Sequence, residues 1–309
     1  MHSLYRVDLA RIRNLTLDQG GEMPEDPKPT VRRRVLGTNL RRLREEHGLL
    51  LEHAAEHLSC NQSKISRIES GRSPIRPLDL KALLDLYDVH DATTREGWLS
   101  LARESRQKRW WRVLEDKLPQ DFLDLIGLEE DTTYCRGFQP GVIDGLLQTP
   151  AYAEAVILNG SAGPLDDAGQ TKLEIRLERQ KALTRTTNPT SAWIILGEAA
   201  LRQQYGGPTV LRAQLEHLLD LTSQANVTLQ VLPLRASAYR GGPYPFKIYR
   251  FPEPSSMEVV LLENHLSQTY LENPSDISFY ADIFNHLRAT ALGELESKAF
   301  IKNIADEIS

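Results

Sequence analysis

From Val35 onward apolar residues recur at helical spacing: Val35, Leu36, Leu40 and Leu43 share one side, and Arg41, Arg42, Arg44, Glu45 and Glu46 fill the others. Gly48 stands where this first helix should end. The same periodicity predicts a second helix over 51–58, a third over 62–70 stopped by Gly71, and a fourth over 78–87 behind Pro74 and Pro77. A fifth is predicted over 94–109. Five short helices with brief turns make an all-α domain over residues 31–109, followed by a linker at 110–120.

Beyond the linker the texture changes. Helical patterns at 122–130, 146–158, 170–183, 210–224 and 275–292 alternate with apolar runs at 193–196, 227–232, 246–251 and 259–263 that read as strands. This alternation predicts a second, mixed α/β domain over 121–305, with its strand order left open.

Composition adds three constraints. With 309 residues, 40% hydrophobic and 26% charged, the chain suits two globular domains. The two cysteines, Cys60 and Cys135, have no near partner, so neither a disulfide framework nor a cysteine zinc site is expected, and the cytoplasm is the expected compartment. The net charge of -5 is unevenly spread: residues 31–112 hold 17 Lys+Arg against 11 Asp+Glu, whereas residues 113–309 carry -10. A basic first third with an acidic remainder points the former toward a polyanion. No apolar run is long enough to span a membrane. Residues 1–30, with Pro24, Pro27 and Pro29, read as a disordered lead-in. The segment before Met23 is expected to be non-native, since Gln19-Gly20-Gly21-Glu22 is what a purine-rich ribosome-binding site would spell if translated.

The third helix carries the chemistry. Asn61 is a good N-cap, Ile65 and Ile68 are spaced to face a core, and the opposite face is expected to show Gln62, Ser63, Lys64, Ser66 and Arg67, with Gln62 and Lys64 projecting outward. Such a helix suits a major groove: glutamine pairs well with adenine, and lysine or arginine pairs with guanine or holds phosphate. Gln62 and Lys64 are expected to read bases, and Arg67 to reach a guanine or a phosphate. Arg72 and Arg76, past the helix end, should touch phosphates only. On the second helix, Ala54 and Ala55 let a neighbour approach closely.

The run Asn61-Gln62-Ser63-Lys64-Ile65-Ser66-Arg67-Ile68-Glu69-Ser70-Gly71-Arg72 closely resembles the recognition-helix signature of Xre/Cro-repressor regulators. Leu40-Arg41-Arg42-Leu43-Arg44 and Ala54-Ala55-Glu56-His57-Leu58 fit that family's first two helices. The resemblance implies a lambda-repressor-like helix-turn-helix, duplex DNA as partner, and a structural, domain-tying role for Glu69. One departure stands out: Leu50-Leu51 occupies the place of the family's usual Thr-Gln cap and phosphate contact. Segments such as "FQPGVIDGLLQTPAYAEAV", "QLEHLLDLTSQANVTLQVLPL" and "YLENPSDISFYADIFNHLRATAL" resemble the C-terminal domain, of unknown function, of actinobacterial antitoxin-like Xre regulators. This resemblance implies a transcriptional regulator, often beside a gene for a small partner protein. A single recognition helix reads too few base pairs to pick out one site, so a homodimer on a near-palindromic operator is expected. The alternative the resemblance leaves open is an antitoxin-like protein whose main role is to neutralise that small partner.

Other chemistry is sparse. His53 and His57 lie four apart but lack further ligands, so no metal is expected. No nucleophile elbow, phosphate loop or dinucleotide fingerprint occurs, so neither an enzyme nor a cofactor is expected. Trp110 and Trp111, among Lys108, Arg109 and Arg112, are expected to pack as an interdomain hinge. For the second domain, Trp193, Tyr205, Tyr239, Tyr244 and Tyr249 near paired glycines are candidates for an effector pocket. A protein-binding surface competes with that reading.

Overall fold

The computed structural model describes residues 29–104, 118, 120–160, 164–236, 242, 244–252, 257–264 and 268–308. Trp110, Trp111, their neighbouring cations, Tyr239 and the 1–28 lead-in lie outside this set.

The N-terminal region is all helical: α1 (Val31–Glu46), α2 (Leu51–His57), α3 (Gln62–Glu69), α4 (Pro77–Leu86) and α5 (Ala92–Glu104). The first helix starts four residues before the apolar periodicity does, because Thr30 caps it and Val31 is already buried. Gly48 and Gly71 both take left-handed backbone (φ +65° and +73°), which lets α1 and α3 end sharply. The apolar stripes of the five helices meet around Val35, Leu40, Ala54, Ile65, Leu80, Leu84 and Trp98.

A mixed α/β domain follows. Its elements are α6 (Gln120–Asp131), β1 (Tyr134–Gln139), α7 (Pro150–Asn159), α8 (Asp167–Gln180), β2 (Ser191–Gly197), α9 (Glu198–Arg202), α10 (Pro208–Leu221) and β3 (Val227–Leu232). The chain continues with β4 (Phe246–Arg250), β5 (Glu258–Glu263), β6 (Gln268–Leu271), α11 (Pro274–Thr290) and α12 (Glu294–Glu307). The six-stranded sheet has the order β3-β2-β1-β4-β5-β6. Strands β1, β2 and β3 run parallel through helical crossovers, whereas β4, β5 and β6 pair antiparallel. One face packs Phe138, Ile195, Phe246, Ile248 and Val260 under Ile283, Phe284 and Leu287 of α11. The other buries Cys135, Ile194, Leu229, Tyr249 and Val259 in the larger core shared with α10 and α12.

Several elements depart from the periodicity. β1 was not expected, although it is central: its run carries Arg136, paired to Glu258 at 3.1 Å, and Gly137, where a Cβ would lie 2.5 Å from the Phe246 carbonyl oxygen. The helix expected over 146–158 is split, because Pro150 is tolerated only at a helix start; Gly145–Leu147 forms a 3₁₀ turn before it. The helix expected over 170–183 begins earlier, at Asp167, under the Asp166 cap. β6 and α12 lie beyond the apolar runs recognised in the sequence. Ile301 and Ile304 nonetheless show a buried helical stripe in α12.

The two regions are fastened through α1. Arg32 pairs with Asp131 of α6. Arg34 bonds Asp124 of α6 (3.0 Å) and Glu272 (2.8 Å), with its guanidinium 5.3 Å from the Tyr270 ring centre. The DNA-binding candidate is therefore gripped at its first helix, whose Arg34 backbone also lies close to Gly71 at the end of α3.

Candidate nucleic-acid interface

α3 is placed by backbone contact and by one buried ion pair. The Asn61 side-chain oxygen accepts the Lys64 amide hydrogen at 2.8 Å, satisfying one of the orphan donors of the first turn. Ile65 and Ile68 are buried. A Cβ at Gly37 of α1 would stand 2.5 Å from the carbonyl oxygens of both Ile68 and Glu69, so only glycine lets α1 run this close to the end of α3. Arg44 of α1 then clamps the same end: its Nε and Nη2 donate to the two Glu69 oxygens at 2.7 and 2.9 Å, with both side chains buried. A planar fork on a carboxylate fixes orientation as well as distance. Glu69 is thus structural, and its partner Arg44 went unnoticed in the sequence because 25 residues separate them.

What remains outward is a short polar row. Gln62, Ser63, Ser66 and Arg67 are exposed, with Ser63 and Arg67 four apart and stacked on the side opposite the buried isoleucines. Lys64 departs from its expected place. It precedes Ile68 by four, so it flanks the core side rather than the outermost row, and its Nζ lies 2.7 Å from Asp79 of α4. Asn61 is exposed but its oxygen is spent on the cap. Arg72 and Arg76, in the loop before α4, are exposed and have no carboxylate within ion-pair distance among the described residues. Arg67 thus stands in the exposed α3 row, and Arg72 and Arg76 follow it as exposed cations in the loop after α3.

The α2 start replaces the missing cap by other means. The Leu50 amide donates to Nδ1 of His53 at 3.0 Å, a role no sequence pattern of a metal-binding pair would have shown. Ala54 and Ala55 are buried, and α2 packs directly on α3.

The four described aromatic candidates of the second domain, Trp193, Tyr205, Tyr244 and Tyr249, are not gathered into one pocket, and Tyr239 lies outside the described residues. Trp193 donates to Gln230 (2.9 Å) on the α11 side of the sheet, edge-on to Phe284 and under Arg288. Tyr205 packs edge-on to Tyr152 at 5.6 Å. Tyr249 is buried on the opposite face from Trp193, its hydroxyl donating to Glu129 at 2.8 Å. Tyr244 is exposed at 73% and lines a cavity.

Beneath that cavity lies a buried ion cluster. Glu129 of α6 receives Arg179 of α8 through two bonds (2.5 and 2.9 Å) and Lys247 of β4 at 3.3 Å. Lys247 also meets Asp144 at 3.1 Å. Burial would raise the Glu129 carboxyl, but Arg179, Lys247 and the Tyr249 hydroxyl overcome it and hold it down to about 2. Lys247, likewise buried, is held above its usual range by Asp144 and Glu129.

Comparison with protein families agrees with this division. A family described as a helix-turn-helix domain matches residues 35–97, and one described as a domain of unknown function (DUF5753) matches residues 122–303. The helix-turn-helix match marks the N-terminal region as that of a DNA-binding regulator of transcription. The chain belongs to the DUF5753 family, which covers more than half of it. No match emerged among curated proteins or solved structures. Among the described residues no helix is long and apolar enough to cross a membrane.

Proposed function

We propose that the protein is a sequence-specific transcriptional regulator that binds a near-palindromic operator as a homodimer, and that its C-terminal domain responds to a small effector rather than catalysing a reaction. The observation that supports it is the exposed Gln62, Ser63, Ser66 and Arg67 row on a helix locked from behind by Arg44–Glu69. Rigid backing matters because base contacts discriminate only when the donor geometry is held. Gln62, Ser63 and Arg67 are the base readers; Lys64, tied to Asp79, supports α3 and contributes a phosphate contact at most. Arg72 and Arg76 hold the backbone. A cavity in the second domain favours a small effector over a partner protein.

One α3 reads too few base pairs to select a site in a genome, so two copies related by a two-fold axis are needed, with half-sites about one helical turn apart. Operator selection from random duplexes, followed by light scattering on the selected DNA, tests this. A two-fold repeated site and a mass of two chains are expected; a single 35.0 kDa chain on an asymmetric site would sink the dimer.

Point variants separate the two kinds of contact. Arg67→Ala is expected to cost ~1–3 kcal/mol at one operator position and to relax preference there. Arg72→Ala and Arg76→Ala should weaken all sequences alike and each reduce the salt slope of log K by about one. Titrations on wild-type and base-substituted operators at several salt concentrations measure both. Unchanged preference in Arg67→Ala, with altered preference in Arg76→Ala, would mean the helix lies otherwise in the groove.

A further inference from the structure

The cavity reached by Tyr244 has a volume of about 550 Å³, within the range of small-molecule sites. It lies beyond the carboxyl ends of β1 and β5, where Gln139 and Glu263 end their strands. β1 is also where the sheet changes direction: the chain moves from β1 through β2 to β3 on one side, then returns to place β4 on the other. In open α/β sheets such a switch point, at the carboxyl ends of the strands, is where ligands sit.

Around the cavity the cations Arg176, Arg179 and Lys247 meet the carboxylates Asp144, Glu129 and Glu263, but they are not evenly paired. Asp144 is answered by Lys247, and Glu129 by Arg179. Arg176 of α8 also lines the cavity, and it has no carboxylate within ion-pair distance among the described residues; its Nη1 donates to the Gln148 side-chain oxygen at 3.0 Å. Burial, and then the neighbouring Arg179, pull its pKa down to about 10. Glu263 is exposed at the cavity edge and only partly offsets this. A half-buried guanidinium beside a second one, without its own counter-charge, destabilises the fold. Among the described residues Asp144 and Glu129 are already in ion pairs and Glu263 is exposed, so the anionic group of a ligand can supply the close counter-charge that Arg176 lacks.

We infer that this cavity binds a small anionic metabolite, with a carboxylate or phosphate group of the ligand seated on the Arg176 guanidinium. The fork geometry of arginine suits either group. The volume calls for a molecule larger than a bare ion. The inference deepens the effector reading above and rests on it only for its regulatory consequence, because binding itself is measurable without DNA.

The experiment uses the full chain. Isothermal titration with inorganic phosphate, citrate and adenosine 5′-monophosphate is compared with titration of adenosine and of propane-1,2,3-tricarboxamide, which lack the negative charge. Saturable binding of citrate or adenosine 5′-monophosphate at one site per chain is expected, with no binding of the neutral counterparts; which of the two binds tells carboxylate from phosphate. Arg176→Gln should weaken that binding at least about tenfold and should raise the Tm of the ligand-free protein, because it removes an uncompensated cation. Arg176→Lys should keep part of the affinity. A merely structural arginine would move Tm the other way. The inference is overturned if none of the anions binds saturably, if Arg176→Gln binds as well as the native chain, or if the ligand-free variant melts earlier. Operator affinity, followed by fluorescence anisotropy with and without the bound anion, is read separately. Unchanged affinity would defeat the effector reading while leaving the site intact, and loss of the site with operator binding intact would do the reverse.

Discussion

Glu129→Ala should destabilise the protein by about 3–5 kcal/mol, a large part of the ~5–15 kcal/mol that holds a typical domain folded. The carboxylate is 1% exposed and is the common counter-charge of Arg179 and Lys247. Removing it leaves two buried cations facing each other and orphans the Tyr249 hydroxyl. Glu129→Gln keeps the shape but not the charge, and should fall between the two. The same group makes stability sensitive to acid. Its folded-state pKa, about 2, lies below the ordinary value of 4.5, so its contribution is complete above pH 4.5 and is lost as pH falls toward 2. Urea titrations at pH 7 and at a series of acidic values measure both effects. The native protein should lose stability through that window, and Glu129→Ala should lose much less there. An alanine variant as stable as the native chain would mean the cluster is not an electrostatic support. The sign is opposite to that expected for Arg176→Gln, although Arg179 and Lys247, the partners of Glu129, line the same cavity as Arg176.

The contrast also shows what one sequence can carry. α3 was legible because its determinants are local: a capping Asn61, Ile65 and Ile68 three apart, and a left-handed Gly71. The error within it, Lys64, was local as well. Polarity alone placed it outward, whereas its four-residue spacing to Ile68 puts it at the side, where Asp79 of the next helix claims it. The cavity was not legible. Glu129 and Lys247 stand 118 residues apart, and nothing near either one signals the other. Aromatic residues beside glycines proved a poor guide, since Trp193 and Tyr249 point to opposite faces of one sheet. β1 escaped for a related reason. A strand paired on both sides can carry Arg136 and Gly137 when Glu258 and the β4 backbone answer them, and those answers lie more than a hundred residues on.

Glu69→Ala is expected to cost the N-terminal domain a similar 3–5 kcal/mol and, with it, specific DNA binding. Glu69 closes α3, and among the described residues its two oxygens are the only carboxylate contact of the buried Arg44 apart from a longer one to exposed Glu45 at 3.4 Å. Without Glu69 the guanidinium must stay buried unpaired or pull away from Leu49, whose carbonyl it also holds at 2.7 Å. Either outcome loosens the end of α1 and the seat of α3 together. Loosening by an ångström suffices to lose base contacts, which depend on angle as much as on reach. Salt-sensitive, sequence-independent binding through Arg72 and Arg76 should survive, since the loop that carries them is not part of the clamp. The double variant Arg44→Met with Glu69→Leu separates charge from packing. Replacing a whole buried pair by apolar groups is often neutral, so the double variant should recover most of the stability lost in Glu69→Ala. Thermal melts and operator titrations of the three proteins decide it. Full operator preference in Glu69→Ala would show that α3 is held without the clamp, and a double variant no better than the single one would show that the pair's geometry, rather than its charge balance, seats the helix.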